Sequence, residues 1–270
     1  MKKWNILLLM TILASGAVAQ SKDTTVMVRE FTKVMSFAVQ PYLYYTTLTK
    51  IDAVPVVQAL DTMSQRGVFY KNGDNLYYQS GEEEVFLEDS LLVQIDMGRK
   101  TIWISRVDME SRDNINIVPL NNKKLQELFR KNYTISRATI NDKTARMNFE
   151  SKRAEGQADF TTRIGLEYMA ETHLPVTLDM ELRIQQPASE EMLGALAAEG
   201  MDEKQWVVNI DNLKYIVRKQ RVSISFMGID NSKEKAGQMP GWKSRLAYDA
   251  DNASFSGKGI YGEYEITKTF

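Results

Sequence analysis

Residues 63–107 read MSQRGVFYKNGDNLYYQSGEEEVFLEDSLLVQIDMGRKTIWISRV, and this stretch decides the fold. Lys71-Asn72-Gly73-Asp74 joins the run 67–70 to 76–78, Ser80-Gly81 precedes 85–87, and Gly98-Arg99-Lys100 joins 91–97 to 101–104. Asn and Gly accept positive φ at low cost, so short β-branched and aromatic runs separated by such turns describe an antiparallel meander.

Outward toward the N-terminus, residues 24–37 read as a helix, with Val28, Phe31, Val34, Met35 and, just past its end, Ala38 at helical spacing and Asp23 as a cap. Pro41 forbids continuation of that helix. The aromatic and threonine content of 42–51 predicts a strand, and 52–59, broken by Pro55, a connection into the meander.

Outward toward the C-terminus, Leu125, Leu128 and Phe129 predict a short helix over 121–131, and strands resume over 133–140 and 145–149. Phe160, Thr162, Ile164, Leu166 and Tyr168 then alternate with Thr161, Arg163, Gly165 and Glu167. Past His173-Leu174-Pro175, Val176, Leu178, Met180, Leu182 and Ile184 alternate with Thr177, Asp179, Glu181 and Arg183. A period of two in both arms predicts a hairpin with one dry and one wet face, in a well-determined register. Ser189 starts a helix over 189–198 that Gly200 ends. Strands come next over 206–210 and 213–227, then a surface loop over 232–242, and a last strand over 260–266. The sum is an α+β, mainly antiparallel β architecture: an open curved sheet or partial barrel closed by a few short helices.

Residues 1–19 read as a cleaved signal peptide. Lys2 and Lys3 precede an apolar run over 4–13, and Ala17-Val18-Ala19 supplies the small-residue cleavage pattern. The run is too short for a membrane anchor, and no later run is long enough to span a bilayer as a helix. Residues 20–270 read as one β-rich domain, with 189–270 as an extension of it. The chain has no cysteine and a net charge of −1, which excludes disulfide stapling, thiol chemistry and a basic footprint for nucleic acid.

Catalytic patterns are missing. A single histidine, His173, sits in a predicted turn and cannot build a triad or a His-rich metal site alone. No Gly-x-Ser-x-Gly or phosphate-loop pattern occurs. Asp249-Ala250-Asp251-Asn252 offers oxygens but lacks the Gly and distal Glu of a calcium loop. No enzyme activity, metal or cofactor is expected. Fourteen Met, ten Phe and twelve Tyr residues suit either a filled core or an irregular apolar pocket.

Three segments resemble the LolA/LolB-like family of periplasmic lipoprotein-sorting proteins: 67–78, a strand, polar turn and aromatic strand; 86–104, where Asp89 leads into two further strands; and 166–175, with its Thr-x-Leu-Pro turn. The resemblance spans about half of the exported chain. It implies an unclosed β-barrel with helices lidding a concave face where acyl chains bind. The candidate apolar-face residues are then Val68, Tyr70, Leu91, Val93, Ile95, Trp103, Ile164, Leu166, Leu178 and Met180. Two functions are expected on this basis: a periplasmic carrier or binding protein for lipid, lipoprotein acyl chains or another apolar ligand, or a non-catalytic structural or interaction component of an envelope assembly with a protein partner. The terminal alternation of Tyr264, Ile266 and Phe270 also suits an outer-membrane barrel strand. Lys268 on the lipid-facing phase and helices between strands favour a periplasmic location instead.

Overall fold

The computed structural model describes residues 24–107, 131–152 and 160–269. The stretches read as a signal peptide (1–19), as the Asp23 cap and, all but Lys131, as a helix over 121–131 lie outside the described residues, as does Phe270. The elements run α1 (Thr24–Met35), β1 (Tyr42–Val54), β2 (Thr62–Asn72), β3 (Asn75–Ser80), β4 (Glu83–Glu88), β5 (Leu91–Asp96) and β6 (Thr101–Arg106). They continue as β7 (Tyr133–Thr139), β8 (Thr144–Ser151), β9 (Phe160–Met169), β10 (Pro175–Pro187), α2 (Glu190–Ala198), α3 (Glu203–Trp206), β11 (Val207–Ile210) and β12 (Leu213–Asp230). The C-terminal part holds α4 (Lys233–Ala236), β13 (Leu246–Asp249), β14 (Ser254–Gly257) and β15 (Glu265–Lys268).

Among the described residues, thirteen strands form one sheet in the order β15-β6-β5-β4-β3-β2-β1-β12-β10-β9-β8-β7, with β11 attached to β12. The sheet is curved and unclosed, because β15 and β7 stand at opposite edges. The meander is present, with positive φ in all four turns: at Gly73, at Gly81, at Asp89 and Ser90 between β4 and β5, and at Lys100. All ladders are antiparallel except β15 with β6, which runs parallel from Glu265↔Thr101 to Lys268↔Ile104.

Besides β13 and β14, which the sequence reading lacks, and Trp206, which ends α3 rather than starting a strand, the structure departs from that reading in three places. First, β10 shows no alternation of burial; its residues Val176 to Gln186 are half-buried on both faces. The polar phase is covered by ion pairs of its own. Second, residues 232–242 are not a plain surface loop. Ser232 caps α4, the Lys235 ammonium lies 4.5 Å from the Tyr44 ring centre, and Trp242 is buried. Third, residues 259–263 form a 3₁₀ turn, which shortens the final strand to Glu265–Lys268.

Direct partners in an antiparallel ladder point to the same side, so registers divide the sheet into two faces. On one face, α1 lays Met27, Val28, Phe31, Val34 and Met35 onto the sheet around Leu43, Tyr45, Phe69, Met147, Phe149, Leu166 and Tyr168. Phe31 meets Phe149 edge-on at 5.2 Å, and Tyr45 stacks on Phe69 at 4.9 Å. Farther along this helix-bearing face, α2 and the turn before β11 cover Val57 and Ile216 with Leu196. On the outer face, a ladder of side chains, Tyr44, Tyr70, Tyr77, Phe86, Val93 and Ile104, crosses β1 to β6 in register. The C-terminal segment packs over its distal end with Trp242, Leu246 and Tyr261.

Candidate functional site

The helix-bearing face is built at two ends and half-covered between them. Ile164 on β9 pairs with Met180 on β10, Met180 with Val222 on β12, Val222 with Ile51 on β1, and Ile51 with Met63 on β2. All five side chains are half-buried. The row therefore crosses five strands between the α1 core on one side and the α2 core on the other. Leu178 and Ile224 extend it toward α1, and Leu182 and Ile184 extend it toward α2, all half-buried. From Leu178 to Ile184 this band runs about 20 Å along the strand.

One polar group borders the band. Asp61, in the turn after β1, receives hydrogen bonds from the Val57 and Gln58 amides at 2.7 and 3.0 Å and pairs with the Arg218 guanidinium on β12. Arg218 also donates to Gln186 on β10. The Asp61 and Arg218 side chains are 1 and 4 % exposed. Burial alone would push the Asp61 carboxyl up. The Val57 amide, Arg218 and the Gln58 amide outweigh it and hold the carboxyl below its ordinary value. Arg218 Nε is buried with no hydrogen-bond partner. The pair fixes the start of β2 to the middle of the sheet.

Beneath the same strands the outer face is polar. Arg146 reaches Asp179 at 2.8 Å, Ser223 donates to Asp179 at 2.7 Å, and Arg221 meets Glu181 at 3.0 Å. This lattice shields the polar phase of β10 and removes the burial contrast expected there. Chemical alternation survives: aliphatic side chains on one face, charged ones on the other.

The ten residues read as one apolar surface are divided between the two faces. Ile164, Leu166 and Leu178 pack with the α1 core, and Met180 follows Ile164 in register. Trp103 is on the same face, through the row Phe69, Tyr78, Val85, Gln94, Trp103. Val68, Tyr70, Leu91, Val93 and Ile95 are on the outer face, packed with the C-terminal segment. Sequence reasoning missed Val222, Ile224, Ile51 and Met63 as neighbours of Met180. The alternation in 176–184 marks the apolar phase, but nothing local says that β12 separates β10 from β1.

Among the described residues no group of three or more His, Cys, Asp or Glu side chains could hold a metal ion. Among the described residues, too, no helix is long and apolar enough to cross a membrane. His173 sits in the β9–β10 turn at φ 58°, its ring stacked on Tyr168 at 6.1 Å. Asp249 spends its oxygens on Asp251 and Asn252 in the β13–β14 turn.

No family model matches the chain, and no curated protein matches it. Among solved structures, it is similar to a DUF1329 family protein from Desulfovibrio piger, at 9% identity and a TM-score of 0.30, covering 87% of this chain and 100% of that one. It is also similar to a LolA superfamily protein from Nitrosomonas europaea, at 8% identity and a TM-score of 0.26, covering 73% of this chain and 91% of that one. Likenesses of this strength carry no weight for function.

Proposed function

We propose that this chain is an exported, periplasmic binding or carrier protein whose helix-bearing face holds a lipid acyl chain or a comparable apolar ligand. The observation that supports it is the half-buried row Ile164, Met180, Val222, Ile51 and Met63, bounded by two helix-covered cores. A fully packed sheet face would bury such a row; a solvated one would carry polar side chains there. An extended hydrocarbon chain matches an aliphatic, methionine-containing strip that needs no directional partner. The signal-peptide reading of residues 1–19 and the three LolA/LolB-like segments agree with this role.

The test is direct. Protein purified without detergent is extracted with organic solvent and analysed by mass spectrometry, and the stripped protein is titrated with an apolar naphthylamine dye. Co-purifying lipid and saturable fluorescence gain are expected, with the gain lost in Met180→Asp and Val222→Asp. A clean extract without dye binding overturns the proposal. If crosslinking in cells then captures a protein on this face, the envelope-component reading takes its place. Osmotic shock should release the chain without detergent.

A further inference from the structure

The outer face carries a cavity of its own, about 890 Å³, where the C-terminal segment crosses the end of the meander. Leu91 from β5, Trp242 and Leu246 from the crossing segment, and Tyr248 and Phe255 from the β13–β14 hairpin form its apolar walls. Three of these are rings set at angles to one another. Phe255 meets Trp242 at 5.8 Å and 64°, and it meets Tyr248 at 4.8 Å and 42°. Tyr248 is half exposed. The charged groups around the cavity are already engaged within the protein. The Lys243 ammonium reaches Asp89 at 3.0 Å, and the Lys258 ammonium donates to the Lys243 carbonyl at 2.8 Å. Glu88 accepts from the Trp242 amide at 3.2 Å, and Arg106 has a partner as well. What the cavity leaves uncommitted is ring and aliphatic surface.

The volume falls within the roughly 300–1,000 Å³ of small-molecule sites, which are lined mainly by apolar and aromatic side chains. Rings prefer offset or edge-to-face neighbours, and such a pair is favoured beyond the area it buries. Inclined aromatic walls offer a planar ring both a face and an edge at once. A charged ligand would lose hydration here and compete with the Asp89–Lys243 pair for its partners. We propose that this cavity binds a compact uncharged aromatic molecule, held by ring contacts rather than by charge. It faces away from the acyl-chain strip and does not depend on that reading.

Titration calorimetry of the purified full chain tests this with three probes: naphthalenemethanol, its saturated decahydro analogue and naphthalenesulfonate. Naphthalenemethanol should bind saturably, with an affinity that added salt leaves unchanged. The decahydro analogue, though more apolar, should bind at least about twofold more weakly because it lacks ring contacts. The sulfonate should bind no more tightly than the alcohol. Tyr248→Ala, at an exposed position, should weaken naphthalenemethanol about three- to tenfold without moving the melting temperature. Met180→Asp, on the opposite face, should leave its binding intact. No saturable heat, tighter binding of the saturated analogue or of the sulfonate, indifference to Tyr248→Ala, or loss on Met180→Asp would each overturn the assignment.

Discussion

Arg245 grips Glu84 with two nitrogens, Nε at 3.0 Å and Nη2 at 3.1 Å, across the outer face of β4. Glu84 is buried, and Tyr77 donates to its Oε1 at 3.3 Å. Tyr261 lies on the other side of the guanidinium, 5.6 Å away. Side-chain hydrogen bonding to Glu84 pushes the Arg245 pKa up. The pair thus ties the C-terminal segment to the meander from inside an apolar cluster. Arg245→Ala leaves a buried carboxylate without its cation and should cost about 3 kcal/mol, the lower end for a broken buried pair because Arg245 keeps some exposure. Urea unfolding reads the loss, and limited proteolysis should cut first within residues 233–268.

Asp61 and Arg218 make a stricter case, since both are buried. Asp61→Asn should destabilise by about 3–5 kcal/mol, whereas Asp61→Leu with Arg218→Met should recover most of that. The folded pKa of Asp61 is depressed, so its contribution is present above the ordinary carboxylate value of about 3.9 and is lost as pH falls through the lower folded value. The stability gap between the native chain and Asp61→Asn should therefore shrink below about pH 4. A gap that stays constant down to acid unfolding would refute the linkage.

Tyr168 predicts the opposite limb. Burial first, then a hydrogen bond with Glu30, pushes its phenol up to about 12. A raised folded pKa means stability present below the unfolded value of about 10 and lost as pH climbs through the folded one. Tyr168→Phe should be less stable than the native chain at neutral pH, with the difference narrowing between about pH 10 and 12. Ultraviolet titration should lose one late-ionising phenol in that variant; Tyr45 and Tyr77, also pushed up by burial, remain.

Gly257 is required by close approach. A Cβ there would collide with the Tyr261 carbonyl oxygen and carbon, and backbone cannot step aside as a side-chain end can. Gly257→Ala should cost about 1–3 kcal/mol and loosen the 259–263 turn. Gly73→Ala, whose Cβ would meet nothing within 4 Å, isolates the cost of positive φ alone. If both variants melt alike, the close contact has no energetic weight.

The meander was legible because its glycine turns are local events: Gly73, after Asn72, and Gly81 take positive φ within a few residues of the strands they join, whereas the Asp89-Ser90 turn does so without a glycine. The helix over 24–37 was legible through its apolar spacing, and Met27, Val28, Phe31, Val34 and Met35 are its buried face. The faces of the sheet were not legible. Val93 and Trp103 both read as apolar strand residues, yet Val93 pairs with Ile104 while Trp103 pairs with Gln94, on opposite sides. Only the register across several ladders separates them. Asp61 and Arg218 carried no signal at all, since an acid in a loop and a basic residue in a strand look solvated until the chain brings them together.

The position of β12 governs how the molecule can assemble. Within β1 to β6, and within β7 to β10, every strand pairs with its neighbours in sequence. Each series can zip locally, with small closure entropy. β12 then enters between β1 and β10 as the last long strand synthesised, and Ile51 and Met180 both wait for Val222. Until that insertion, the inner edges of both half-sheets carry unpaired amides. Such long-range pairing slows folding, and a chain that crosses a membrane unfolded would hold these two edges open until residue 230 had crossed.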